Sequence, residues 1–155
     1  MSVSNPDNQN TWEFVEAGGN AGEVVAVVNN FDNDFPGRSD FLISPDLDLR
    51  EIVNPTLSIE YAYRRYNNTL RDQLRVTVNG SLGGTQVLFF GDEDGSGNFA
   101  TGQDLPGRFF PEDATDWCAL SPGCLNLDLS AFVNDPAVEV VIENINGYGN
   151  YLYVD

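Results

Sequence analysis

Oxygen-bearing side chains at alternate positions make one segment of this sequence a candidate cation site. They are Asp92, Asp94, Ser96 and Asn98. Calcium loops of the EF-hand type place oxygen ligands at positions 1, 3 and 5 and a glycine at position 6, where it permits the turn that points the ligands at one ion. Gly97 occupies that sixth position. The segment therefore matches the first half of such a loop.

The second half of the segment departs from the EF-hand pattern. Position 12, where a bidentate glutamate is wanted, is Gln103, and Asp104 follows one residue later. Two interpretations stay open. Either ligands from elsewhere, with Asp104 among them, complete a calcium site, or the segment is a flexible acidic hairpin turn.

Tyrosine and arginine residues suggest a second kind of chemistry, the binding of sugars. Aromatic rings stack on sugar faces and guanidinium groups donate hydrogen bonds to hydroxyls. Arg64, Tyr66 and Arg75 on one face of a sheet would therefore form a platform for glycans. Tyr148 lies between two glycines and is a candidate for an exposed loop aromatic. The alternative is that the arginines pair with the many surrounding carboxylates.

The sequence lacks most residues used in covalent and acid–base catalysis. It contains no histidine and no lysine, so the common pairs of nucleophile and base cannot be built. Two carboxylates at a suitable separation could hydrolyse a glycoside. With 24 acidic residues in the chain, however, the sequence cannot identify such a pair. We predict a protein without catalytic activity.

The two cysteines favour a local disulfide over free thiols. Cys118 and Cys124 do not have the spacing of a redox motif, and a metal site made from two cysteines without histidine is implausible. Pro122 and Gly123 between them allow the chain to fold back. A disulfide implies an oxidising compartment.

The charge of the chain argues against two classes of partner. It has 24 acidic and 7 basic residues and a formal net charge of -17. Such a surface repels nucleic-acid phosphates and anionic lipid headgroups, because either partner needs cationic groups to displace its counterions. We therefore expect no nucleic acid and no membrane insertion. The acidity suits a secreted or salt-tolerant protein, or one whose carboxylates are partly neutralised by divalent cations.

Short β-strands are the elements that would position these residues. Apolar and polar side chains alternate in residues 56–63, 73–79 and 137–144, as in half-buried strands. The shorter candidates are residues 11–15, 23–29, 41–44, 86–90, 125–129 and 151–155. Nine short strands between Gly, Pro, Asn and Asp turns predict an all-β fold, an antiparallel two-sheet β-sandwich of the jelly-roll type.

One domain is predicted over residues 11–155, because a chain of 155 residues with 41% hydrophobic residues can bury one core. Residues 1–10 are expected to be a disordered lead-in. No signal-sequence pattern is present, and no apolar run approaches the ~20 residues of a membrane span. Since the chain stops directly after an apparent strand, we expect it to be part of a longer secreted polypeptide.

Eight short motifs occur in an order that resembles one family. They are Trp12 and residues 27–33, 40–49, 54–63, 72–78, 116–118, 127–132 and 147–155. This order is similar to that of the MAM-like jelly-roll accessory domains, often called choice-of-anchor J. Those domains occur in large secreted bacterial proteins, beside metalloproteases or adhesive repeats. The resemblance implies an extracellular β-sandwich without catalytic activity, but it does not imply one ligand.

The resemblance also implies a second candidate calcium site. Related jelly rolls often bind a structural calcium ion where their first and last strands approach, which points to Asp40 and Asp155, with help from Asn30 and Asp32. The alternative is ordinary turn chemistry, because Asn and Asp side chains hydrogen-bond to their own backbone in turns.

We therefore expect a monomeric accessory module, secreted or at the cell surface, that is stabilised by one or two structural calcium ions. The favoured partner is a polysaccharide or another glycan, which the module would bind to target its parent protein. The alternative is a module for protein–protein adhesion, or a spacer packed on neighbouring protein domains, in a secreted protease or adhesin.

Overall fold

The computed structural model describes residues 1–19, 24–92, 98–120 and 122–155, whose regular structure is almost entirely β-strand. The strands are β1 (Ser2–Ser4), β2 (Glu13–Glu16), β3 (Val24–Asn29), β4 (Ser39–Ile43), β5 (Thr56–Ile59), β6 (Tyr61–Tyr63), β7 (Gln73–Gly80), β8 (Gly84–Gly91), β9 (Leu125–Asp128), β10 (Val138–Ile145) and β11 (Tyr151–Val154). Two 3₁₀ helices are short, Ala114–Asp116 and Ser130–Phe132. Within the described ranges, no helix has the length and apolar character needed to cross a membrane.

The strands form two main sheets in which every pairing is antiparallel. One has the order β1-β4-β10-β7-β8 and the other the order β2-β3-β11-β6, while β5 and β9 pair separately. We call the two main sheets the five-stranded and the four-stranded sheet. The prediction of an all-β sandwich of antiparallel sheets is confirmed.

The main core lies between these two sheets because alternate side chains on each strand point to the same face. The five-stranded sheet contributes Leu42, Val76 and Ile142, all at most 2% exposed. Val28 and Leu152 of the four-stranded sheet belong to the same cluster and are fully buried. Each such side chain contributes about 1.5–3 kcal/mol of hydrophobic free energy relative to an exposed position.

The four-stranded sheet is also partly covered on its outer face, by the segment 105–117. Phe109 and Trp117 of this segment pack against Ala62 of β6. The indole N–H of Trp117 donates to the carbonyl oxygen of Gly18 at 2.9 Å. All three residues of β6 are therefore buried, although only two of them face the main core.

The sequence did not predict two features of the strands. Residues 56–63 form β5 and β6, with a break at Glu60, whose backbone exchanges two hydrogen bonds of 2.9 Å with Asp155. Residues 2–4 form β1, which pairs with β4, so they belong to the sandwich rather than to a disordered lead-in. The segment after β1 approaches Asp40 of β4, because its Thr11 hydroxyl and its Asp7 charge both act on that carboxyl group.

The predicted disulfide is present. Cys118 and Cys124 are bonded, with their Cα atoms 4.8 Å apart. The backbone N–H of Cys118 donates to the carbonyl oxygen of Tyr61 at 2.9 Å, and the Tyr61 hydroxyl donates to the carbonyl oxygen of Gly123 at 3.2 Å. The closed loop is thereby attached to the edge of β6.

A buried carboxylate, Asp135, organises the turn after β7. It accepts hydrogen bonds from the hydroxyl of Ser81 and from the backbone N–H groups of Leu82, Gly83 and Ala137. Burial raises the pKa of Asp135, but these hydrogen bonds outweigh it and hold the pKa well below its usual range. The ionised carboxylate is therefore the form that stabilises this turn.

We expect Asp135→Asn to lower the free energy of unfolding at pH 7 by about 1–3 kcal/mol, because an amide NH₂ would face donors that now meet a carboxylate oxygen. Urea denaturation measures the change. Asp46→Asn, at an exposed position, is the matched control and should change stability by less than about 0.5 kcal/mol. Asp135 has a depressed folded pKa, so its contribution is lost as pH falls below about 4. Equal effects of the two substitutions at pH 7 would contradict this role.

Candidate functional site

The apolar core ends in a layer of buried polar side chains at one end of the sandwich. Asp40 points inward like Leu42 on the same strand, and the strand register places it opposite Asn144 of β10. Asn144 exchanges two hydrogen bonds of 2.9 Å with Asn30, which follows β3 in the facing sheet. All three polar side chains are completely buried. Polar contacts therefore join the two sheets at this end.

Asp40 is the most unusual member of this layer, because among the described residues neither of its carboxylate oxygens makes a hydrogen bond of normal geometry, although the Thr11 hydroxyl is close enough to act on it as a donor. Three further buried oxygens without a partner lie in the segment after β1, namely Asn5 Oδ1, Asp7 Oδ2 and Thr11 Oγ1. Continuing the register of β1 along β4 puts Asn5 beside Asp40. We call these four residues the Asp40 centre.

The electrostatics of the Asp40 centre disfavour an ionised carboxylate without a counter-charge. Burial raises the pKa of Asp40 to about 6, the nearby Thr11 hydroxyl lowers it, and the negative charge of Asp7 raises it. At neutral pH the ionised form still predominates. A buried charge without a partner costs several kcal/mol, and such unpaired groups in native proteins call for an explanation such as an ordered water or an ion.

The loop that carries the remaining oxygens is held in place by its own hydrogen bonds. The side-chain amide of Asn5 donates to the carbonyl oxygen of Gln9 at 2.9 Å, and the backbone N–H of Gln9 donates to Asp7 Oδ1 at 3.0 Å. Each side chain uses one polar atom within the loop. The other, Asn5 Oδ1 or Asp7 Oδ2, has no donor in the part of the chain that the structure describes.

The donor atoms of the Asp40 centre suit calcium. They comprise two carboxylates, an amide oxygen and a hydroxyl, all hard oxygen ligands, and calcium completes its shell of about six to eight oxygens with backbone carbonyls and water. No nitrogen or sulfur ligand of the kind preferred by zinc or copper is among them. Within the described part of the chain, no three His, Cys, Asp or Glu side chains gather as a metal site. The centre would therefore rely on neutral oxygens as well.

A second buried carboxyl group, Asp72, has its hydrogen-bond partners. It accepts hydrogen bonds from the backbone N–H groups of Gly147 at 2.8 Å, Gly149 at 3.2 Å and Asn150 at 2.8 Å. Burial raises the pKa of Asp72 to about 6, although these amides lower it. A Cβ atom at Gly147 would lie 1.9 Å from the carbonyl oxygen of Arg71, so only glycine allows the loop to wrap so closely. Asp72 therefore orders the chain and is not a metal candidate.

The structure does not bring together the calcium ligands that the family resemblance implies. Asn30 is engaged with Asn144, and Asp32 forms an ion pair with Arg108 at 2.9 Å on the surface. Asp155 follows the far end of β11, because Tyr151 at the near end is the residue that pairs with the end of β3. Of the implied set, Asp40 alone belongs to the centre.

The described residues of the acidic segment after β8 have other structural roles. Asp92 has a positive φ of 81°, and Asn98 accepts a hydrogen bond from the backbone N–H two residues later at 2.9 Å. Asp104 pairs with Arg65 at 3.0 Å. Asp94 and Ser96 lie outside the described residues, so calcium binding by this segment stays a prediction.

The structure does not assemble the predicted Tyr and Arg platform. Arg64 follows β6 in the four-stranded sheet, where it pairs with Asp116 at 2.5 Å. Arg75 lies on β7 in the five-stranded sheet and pairs with Glu143. Consecutive strands thus belong to different sheets, and the two guanidinium groups do not share a face.

The two predicted tyrosines occupy separate loops. The Tyr66 ring packs against the ring of Phe31, with centroids 5.9 Å apart. Tyr148 is 39% exposed, at the tip of the loop that wraps around Asp72. Both arginines have carboxylate partners, as the alternative interpretation expects.

Sequence reasoning missed Asn5, Asp7 and Thr11. The available signal is a dense run of oxygen-bearing side chains at residues 5–10, directly before the first predicted strand.

No protein-family model matches this chain, and no curated protein sequence matches it.

In excess chelator, we expect the free energy of unfolding to fall as the pH rises from about 4 to 7. The folded pKa of Asp40 and of Asp72 is about 6, above the ordinary value of 3.8. The folded chain therefore binds more protons in this range, and the stability that those protons contribute is lost as the pH rises through about 6. Urea denaturation at several pH values measures the slope. Stability that is constant or rises between about pH 5 and 7 would contradict the raised pKa values.

Proposed function

We propose that the protein is a non-catalytic, calcium-stabilised binding module of a secreted or cell-surface protein. The observation that carries this proposal is Asp40, a completely buried carboxylate that makes no hydrogen bond of normal geometry to the described residues, near Thr11 and Asp7 of a segment that holds three other unpartnered oxygens. A divalent cation would neutralise Asp40 and Asp7 together and would accept oxygens from all four side chains as ligands. The ion would thereby hold β1 and the loop after it to the end of β4.

The disulfide supports an extracellular location for this module. Disulfides form and persist in oxidising compartments, and Cys118 and Cys124 are bonded. Calcium sites of extracellular modules are typically weak, with dissociation constants of about 10⁻⁴–10⁻³ M. A centre with only two carboxylates among its four side chains suits such an affinity.

A binding role is favoured over catalysis because the side chains most used in catalysis are missing or engaged. The chain has no histidine or lysine, and both cysteines are in the disulfide. The buried carboxyl groups Asp72 and Asp135 are held by backbone amides. Carbohydrate is the favoured ligand.

Adhesion to neighbouring protein domains is the second candidate role. It is favoured by Phe14 and Val24, which are 52% and 59% exposed. Both side chains line one depression, whose other walls include residues of both main sheets. Large exposed apolar side chains that lie together often mark protein contacts.

Calcium should raise the melting temperature of the protein, because the ion would bind the folded state alone. At 100 times its dissociation constant the expected rise is about 5–10 °C. Magnesium should have a smaller effect, since it requires a tighter octahedral shell. Thermal denaturation in chelator and in calcium at about 100 times the dissociation constant, which is about 10 mM for a constant of about 10⁻⁴ M, measures the shift at matched ionic strength. Equal melting temperatures in the two conditions would exclude a structural calcium site.

Substitutions locate the ion. Asp40→Asn should abolish the calcium response and leave the chelated protein at least as stable as the unsubstituted chain, because a buried charge is removed. Asp32→Asn is the matched control, since this carboxylate pairs with Arg108 on the surface, and it should keep the response. If Asp92→Asn abolishes the response and Asp40→Asn does not, the ion belongs to the acidic segment after β8.

A further inference from the structure

The outer face of the four-stranded sheet carries a row of three connected depressions. The first lies beside Tyr151 and has a volume of about 170 Å³. The second is lined by Tyr151 and Phe110 and the third by Phe110 and Arg64, each with a volume of about 310 Å³. Tyr151 lines the first two depressions and Phe110 lines the last two. Neighbouring depressions thus share a lining residue, and we call the whole row the outer groove.

Two aromatic rings, those of Phe110 and Tyr151, line the middle of the outer groove. The centroids of Phe110 and Tyr151 are 5.1 Å apart and their planes meet at 44°. Phe110 is 56% exposed, whereas its neighbour in the sequence, Phe109, is buried. An exposed ring beside a half-buried one presents a broad apolar face that the C–H groups of a sugar ring could cover.

Polar groups line the outer groove beside these rings. The guanidinium group of Arg64 lies 5.2 Å from the centre of the Phe109 ring and pairs with Asp116. Arg108 pairs with Asp32. A guanidinium group has five N–H donors, so an ion pair leaves donors for a ligand. Glu13 and Glu112 supply acceptors at the two ends of the groove.

We propose that the outer groove binds a neutral polysaccharide, an inference that rests on the binding role proposed above and specifies its ligand. Both arginines at the groove have their charge balanced by a carboxylate, and the whole chain carries a net charge of -17. An anionic glycan would therefore be repelled. A polymer of uncharged sugars meets aromatic faces, donors and acceptors in succession, and three consecutive depressions suit a chain better than a single sugar.

The first test is affinity electrophoresis with calcium present, in native gels that contain xylan, galactomannan, laminarin or hydroxyethyl cellulose. At least one of these neutral polymers should retard the protein, and polygalacturonate should not. Retardation should change little with added salt, since the contacts are not ionic. Phe110→Ala should weaken binding about three- to tenfold through lost stacking, and Phe110→Tyr should preserve it. Phe35→Ala, at an aromatic position that is 48% exposed and outside the groove, is the matched control and should leave retardation unchanged.

Several results would overturn the outer groove as a glycan site. They are retardation by none of the neutral polymers, retardation by polygalacturonate alone, and equal retardation of Phe110→Ala and the unsubstituted chain. Loss of binding in Arg75→Ala but not in Phe110→Ala would move the site to the five-stranded sheet. If calcium raises the melting temperature and no polymer binds, the groove is wrong and the calcium centre stands. If binding depends on Phe110 and calcium has no effect, the groove stands and the calcium centre is wrong.

Discussion

The carboxylate of Asp72 holds the crossing between the two sheets, and much of the rest of the structure depends on that crossing. The connection at residues 146–150 leads from β10 in the five-stranded sheet to β11 in the four-stranded sheet. Three of its backbone N–H groups converge on the carboxylate of Asp72. Without this acceptor they would be buried donors with no partner, at a cost of about 1–3 kcal/mol each.

The same connection positions both candidate sites. The side-chain amide of Asn146 donates to the carbonyl oxygens of Asn33 and Phe35, in the turn that leads to β4 and Asp40. The side-chain amide of Asn150 donates to the carbonyl oxygens of Leu105 and Gly107, in the segment that builds the outer groove. One loop thus ties the Asp40 centre and the outer groove to the sandwich.

Asp40 and Asp72 show how the same burial leads to different chemistry. Both carboxyl groups are completely buried and both have a pKa raised to about 6. Backbone amides compensate Asp72, so its charge stabilises a loop. Asp40 has no such donors, and its nearest acidic neighbour adds negative charge. A cation is the compensation that fits Asp40, because it offers positive charge and accepts several oxygens at once.

Local patterns in the sequence were sufficient to predict most of the strands, the antiparallel sandwich and the disulfide. Alternation of apolar and polar residues reports which side of a strand is buried, and it did so correctly for β7 and β10. Cys118 and Cys124 are close in the sequence, so their pairing could be predicted without knowledge of the tertiary structure. Asp40 was recognised as a candidate ligand, although with different partners.

Tertiary structure decided which residues share a site, because period-two alternation carries no information about which sheet a strand joins. The break at Glu60 left the alternation intact while β5 and β6 entered different sheets. Consecutive strands β6 and β7 likewise separated Arg64 from Arg75. Pairing of β1 with β4 brought the segment after β1 to Asp40, and the packing of residues 105–117 placed Phe110 next to Tyr151. The sequence by itself determined which side chains were available for chemistry, and only long-range strand pairing decided which of them meet.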